Sequence, residues 1–178
     1  MKNLCSPYRG CKITQITQGF IPKQHEATDF CSSYGTFLVA PERVLIERIK
    51  SGIDWKNPKE AEQGYGIVFT SIDKKRRYSY WHTMAVFPVD EGIIVEQGQP
   101  IAQMGNSGWV MSGGKYVPLE ERNKPPFYGT HLHLSMSENG KNVNCIDYID
   151  WNIEINYDLL TAIKNTIQKI SNLLKGRK

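Results

Sequence analysis

Four histidines and one aspartate fall in three short stretches whose spacing could do chemistry. GTHLHLSM (129–136) puts His131 and His133 one residue apart in an apolar, alternating run. Alternation with Leu132, Leu134 and Met136 is the period of a half-buried strand. Both imidazoles then point to one face, ~7 Å apart along a strand rising ~3.3 Å per residue, and the apolar side chains face the core. QHEATDF (24–30) places Asp29 four residues after His25, and RRYSYWH (76–82) ends on His82. Imidazole and carboxylate suit Zn²⁺, and three protein ligands with one open position make a catalytic site. The plain alternative for His131 and His133 is a pair of surface histidines on a solvated face.

HEATD also has the outline of an HExxH zinc helix in which Asp replaces the second histidine. That motif needs a helix to bring positions i and i+4 to one face, with the Glu as general base. Pro22 upstream and CSSYGT (31–36) downstream are a poor helical context. The expectation is therefore a loop or short extended turn that presents His25 and Asp29, with Glu26 facing solvent.

The elements that must position these residues read as short strands: 37–49 (FLVA with ERVLIERI), 64–72, 76–84, 92–95, 100–105 and 130–136. Gly and Pro punctuate them and no helical pattern intervenes, which predicts a mainly β fold, an antiparallel sandwich or open barrel. SIDKKRRYSY reads as a hairpin with its charges near the turn. Residues 1–24 read as irregular, with 1–12 a lead-in to a domain spanning 1–152. The Gly- and Pro-rich segment 109–128 directly precedes the histidine strand, and a loop of that length is usually functional or mobile. It is expected to control access to the site, with Gly129 as a permissive pivot. Residues 156–175 carry apolar side chains at 160, 163, 167, 170 and 174, an amphipathic helix within a C-terminal segment 153–178. Trp151, Ile153 and Ile155 could tie its start to the domain. Its expected uses are docking on the domain, a weak homodimer, or a partner protein.

The chain has 178 residues, 40% hydrophobic and 22% charged, enough for one domain with a real core. Much of the net charge of +4 sits near the C-terminus, which could favour anionic surfaces such as cell-wall polymers but reads first as a solvated helix face; no nucleic-acid partner is expected. No stretch approaches the ~18–20 apolar residues of a membrane span. MKNLCSPYRGCKITQ has no signal-peptide core. The four cysteines form no CxxC pair, and a Cys5–Cys11 bridge is one option.

In order along the chain, QGF (18–20), HEATD (25–29), GYGIVFTS (64–71), YSYWH (78–82), EGIIVEQGQPIAQMGNSG (91–108) and GTHLHLSM (129–136) resemble the lysostaphin/LytM-type zinc peptidases. These enzymes cut peptide bonds of bacterial peptidoglycan, and the likeness covers about residues 13 to 150. It implies a small antiparallel β fold with its site in a groove. His25, Asp29 and His133 match the three ligands of one zinc ion, and His82 and His131 match two unligated catalytic histidines. With no well-placed Glu, those two would serve as proton acceptor and hydrogen-bond donor.

The activity implied is a zinc-dependent endopeptidase acting on stem or cross-bridge peptides at the cell wall. Without a signal peptide, the source would be a phage enzyme or a fragment of a secreted protein. The rival is an inactive relative that binds wall or activates another hydrolase; such proteins usually lack a ligand, and this chain keeps all three.

The chain also departs from the family's pattern. Ala27 stands where the family has Gly, which would add strain on the order of 1 kcal/mol if that position needs φ > 0. The 109–128 segment is long where the family's connection is short. An assisting tyrosine has only Tyr8 upstream, with Tyr128 as alternative. Tyr78, Tyr80 and Trp81 are groove wall or packing; Trp109 and Tyr116 cover substrate or pin the loop. Cys31 reads as a small buried hydrophobe.

Overall fold

The leucine face of the histidine strand decides where the core goes. The computed structural model describes residues 2–155. In chain order the strands are β1 (Ile16–Gln18), β2 (Thr28–Phe30), β3 (Phe37–Val39), β4 (Val44–Lys50), β5 (Gly66–Ser71) and β6 (Arg76–Trp81). They continue with β7 (Ile94–Val95), β8 (Pro100–Gln103), β9 (Met111–Ser112), β10 (Lys115–Tyr116), β11 (Leu132–Glu138) and β12 (Lys141–Asn142). Two short helices are α1 (Pro58–Gln63) and α2 (Leu119–Arg122). One antiparallel sheet runs β1–β2–β11–β6–β5–β4–β7, with β12 folded back on β11. β3 pairs with β8, and β9 with β10, as separate ribbons.

Leu132, Leu134 and Met136 of β11 are buried, as are Tyr78 and Tyr80 of β6, Ile67 and Phe69 of β5, and Val44 and Ile46 of β4. They form one cluster with Leu38 of β3 and Ile101 and Ala102 of β8, so the core lies between the large sheet and the β3–β8 ribbon. Each large side chain contributes roughly 1.5–3 kcal/mol of burial. Tyr80 satisfies its hydroxyl by donating to the Val39 carbonyl at 3.1 Å, across the two layers. The mainly β, antiparallel fold expected from the alternation is the fold observed. Tyr78 and Tyr80 are packing residues.

Several local expectations are corrected. FLVA and ERVLIERI are not one strand but β3 and β4 in different sheets. The break falls at Pro41, which has no N–H to give a ladder. The 1–24 stretch is not wholly irregular, since β1 pairs with β2; three residues are too few to display a period. α1 was not foreseen for the same reason, although Asn57 caps it by accepting from Lys59 and Glu60 N–H, with Pro58 in the first turn. The 109–128 segment holds a hairpin and a helical turn. Gly129, the expected pivot, has φ 76, and a Cβ there would run into Val110. Cys5 and Cys11 are free thiols in separate apolar clusters.

Trp151 packs on the main core, and Ile153 and Ile155 pack beside Cys5 and Val39. The helix expected over 156–175 lies outside the described residues. Among the described residues no helix is long and apolar enough to cross a membrane.

The alternation of β11 gives a direct test. Leu134→Ala should cost about 2–5 kcal/mol of stability, whereas Ser135→Ala, on the opposite face, should change it by no more than about 0.5 kcal/mol. Denaturant midpoints with equal slopes compare the two. Equal losses would contradict the assignment of faces.

Candidate metal centre

β11 lies between β2 and β6, and the register sets His133 opposite Asp29 on one side and opposite Trp81 on the other. Asp29 is thus presented by a strand rather than by the loop expected, though no helix forms there. His25 arrives from a tight turn in which the backbones of Ile21 and His25 exchange hydrogen bonds of 2.8 and 2.9 Å. Its Nε2 lies 3.3 Å from Asp29 Oδ1, and His133 Nδ1 lies 3.0 Å from the same oxygen. The three candidate ligand atoms all fall within 4.8 Å of one another.

His82 follows the last residue of β6 with φ 60, a left-handed conformation that histidine tolerates better than most side chains. His131 is aligned by its N–H, which donates to the Gly105 carbonyl at 3.2 Å. The His82 and His131 rings are 4.6 Å apart between centroids. All four histidines and Asp29 line one groove of about 870 Å³.

Backbone carbonyls fix which nitrogen of each ring faces that groove. Nδ1 of His25 donates to the Gly19 carbonyl at 3.0 Å, His82 to Ser107 at 2.8 Å and His131 to Gly129 at 2.8 Å. A carbonyl can only accept, so each Nδ1 carries the proton and each Nε2 keeps its lone pair. The same arrangement orients metal-ligating imidazoles. Asp29 Oδ1 is buried and receives no well-directed hydrogen bond. An acceptor oxygen facing acceptor nitrogens is repulsive unless a proton or a cation lies between them. One carboxylate and two imidazoles fit a borderline divalent cation such as Zn²⁺.

Electrostatics agree with that division of the site. Burial pushes the Asp29 carboxyl up, but the His133, His131 and His25 imidazoles outweigh it and hold it below its ordinary value. Burial, with His131 and His133 adding to it, pushes the His82 imidazole down to about 3. Burial also pushes His131 down, against the pull of Asp29. Both rings are therefore uncharged at neutral pH.

The remaining candidates separate cleanly. Trp81 and Trp109 form walls of the groove with Met111, and Cys31 lines it half-buried. Tyr116 pins the loop instead, its hydroxyl accepting from Arg122. Neither suggested tyrosine lines the groove: Tyr8 is buried with its hydroxyl donating to the Cys31 carbonyl at 2.7 Å, and Tyr128 is half exposed. Ala27 is buried without a positive φ, so the strain expected from losing Gly is absent. Glu26 is exposed and accepts from Asn142 Nδ2 at 2.6 Å, away from any basic role. The Gly19, Ser107 and Gly129 carbonyls escaped sequence reading, since a backbone oxygen has no residue signature.

Residues 23–145 match the sequence profile of peptidase family M23. The fold is similar to that of a zinc-containing peptidase from Vibrio cholerae, with TM-score 0.59 and 20% identity over 84% of this chain and 41% of that one. It is similar to Helicobacter pylori Csd3, with TM-score 0.60 and 18% identity over 98% of this chain and 44% of that one. The catalytic domain of the antimicrobial peptidase lysostaphin from Staphylococcus simulans gives TM-score 0.50 and 19% identity over 82% and 87% of the two chains. The chain spans about two fifths of the length of the first two. At these identities the likeness is one of fold. No curated protein matches the chain. The profile, however, covers well over half of its length and includes all four histidines and Asp29, so the chain belongs to peptidase family M23.

Proposed function

We propose that this chain is a zinc-dependent endopeptidase that hydrolyses peptide bonds in the stem or cross-bridge peptides of bacterial peptidoglycan. The observation that carries this reading is the convergence of Asp29 Oδ1, His25 Nε2 and His133 Nδ1 in a groove that the His82 and His131 imidazoles also line. His25, Asp29 and His133 would hold one zinc ion. When bound, the ion supplies Lewis acidity, polarising a carbonyl and making water more acidic. The likeness of the motifs to wall-cutting peptidases supports the substrate class, as does the fold shared with an antimicrobial peptidase.

The chain's own residues supply the proton handling. His82 and His131 each hold Nδ1–H against a carbonyl, which leaves an Nε2 lone pair able to accept a proton from an attacking water. Once protonated, the same nitrogen becomes a donor for an oxyanion or for the leaving amine. The Trp81 and Trp109 walls exclude water from one side of an extended peptide.

Purified peptidoglycan should release free amines on treatment with the protein. A chelator should stop the release, and added zinc should restore it. No zinc-dependent release from several peptidoglycan chemotypes would contradict the proposal.

Two variants separate the roles. Asp29→Ala should lose zinc and activity together. His82→Asn, which keeps a residue tolerant of φ > 0, should retain about one zinc per chain while kcat falls roughly 10²–10⁴-fold. Metal content by mass spectrometry distinguishes them, and loss of zinc in His82→Asn would show that His82 is a ligand.

In metal-free protein the buried imidazoles also set an acid limit. A depressed folded-state value means stability that is present above the unfolded value of 6.5 and lost as pH falls from there toward about 3 for His82. His131, also depressed from 6.5, acts in the same direction over this range, whereas Asp29, depressed from 3.8, adds its loss only below that value. The denaturant midpoint should therefore drop between pH 7 and pH 4, less steeply in His82→Asn. A flat or rising profile would contradict the buried, neutral state.

A further inference from the structure

Arg122 lies in α2, inside the 109–128 insertion, and is 2% exposed. Burying a guanidinium among neutral groups is costly. Among the described residues, every partner it makes is neutral. Nη1 donates to the carbonyls of Asn106, at 3.2 Å, and of Gly108. Nη2 donates to the Tyr116 hydroxyl at 3.3 Å, and the guanidinium carbon lies 5.6 Å from that ring's centre. The two carbonyls bridged by Nη1 flank Ser107, whose own carbonyl accepts from His82 Nδ1 at 2.8 Å.

The connection returns along a second path. Asn106 is buried, and its Nδ2 donates to the carbonyls of Arg122 and Tyr128, each at 3.0 Å. Tyr128 is joined to Gly129, whose carbonyl accepts from His131 Nδ1 at 2.8 Å. Gly105, next to Asn106, accepts the His131 backbone N–H at 3.2 Å. Arg122 and Asn106 therefore form a reciprocal clamp between the insertion and the two segments whose carbonyls hold the imidazoles.

We propose that Arg122 is a positioning residue for the His82–His131 pair, holding the Ser107 and Gly129 carbonyls where they keep both rings protonated on Nδ1. The inference rests on the hydrolase reading for its kinetic consequence but not for its structural one. The guanidinium is suited to the task because one nitrogen can bridge two carbonyls while the other reaches Tyr116. A small displacement of a reacting group by a residue remote from the chemistry can cost about 10²-fold in rate.

The test is Arg122→Met in the zinc-loaded full chain, with Arg122→Lys beside it. The ring Nδ1–H resonances of His82 and His131 are followed by nitrogen-labelled NMR. In the Met variant they should shift or disappear into exchange, zinc should stay at about one per chain, and kcat should fall at least tenfold with KM within about twofold. Lys, with three donors but no planar fork, should fall between. A folded Met variant with wild-type ring resonances overturns the proposal, and so does loss of zinc in step with kcat. Where Met does not fold, Lys decides: displaced ring resonances with zinc retained support the clamp, and wild-type resonances and kcat overturn it. If the wild-type chain cleaves no peptidoglycan, the hydrolase reading fails, while the ring resonances still decide the role of Arg122.

Discussion

The cross-strand contact between Asp29 and His133 is the constraint on which the rest of the site depends. It joins β2 to β11, the second and third strands of the sheet, with Asp29 only 8% exposed. An ionised carboxylate at that depth costs several kcal/mol unless something positive or hydrogen-bonding answers it. Three imidazoles approach it, yet His25 presents a lone pair, because its proton is committed to Gly19. The sheet brings together groups that repel one another unless a proton or a cation lies between them.

A second layer of backbone does the aiming. Carbonyls from Gly19, Ser107 and Gly129 come from three separate segments, and each fixes one imidazole. Rigid secondary structure supplies the platform, and irregular segments supply the orientation. That division explains the left-handed backbone at His82. The chain must leave β6 sharply so that the ring can turn back over the groove toward Ser107. Trp81, one residue earlier, packs so closely on Gly66 that a Cβ at position 66 would collide with its ring and with the Tyr80 carbonyl. Backbone strain and a tight glycine contact thus meet at the groove wall, where positions are over-determined by packing.

Much of this was legible in the sequence. The period-2 run in GTHLHLSM carried both the core face and the groove face, because strand alternation is a local property. The spacing of His25 and Asp29 identified a shared site, but as a loop, since three-residue strands such as β2 show no period of their own. What the sequence hid is non-local. Nothing in GNSGW (105–109) marks Ser107 as the partner of His82, and nothing in LEER marks Arg122 as a buried clamp rather than a solvated helix charge. The insertion read as a functional or mobile loop because of its length and its Gly113-Gly114 pair, with Pro125-Pro126 stiffening its far end. Its tertiary anchors, Arg122 and Asn106, belong to packing and could not be read from composition.

The zinc environment measured by X-ray absorption at the zinc edge tests the central claim most directly. The account predicts one zinc per chain with only nitrogen and oxygen neighbours at about 2.0–2.2 Å, and loss of that signature in Asp29→Ala. A sulfur neighbour at about 2.3 Å, which would bring in Cys31, or a signature unchanged by Asp29→Ala, would contradict it.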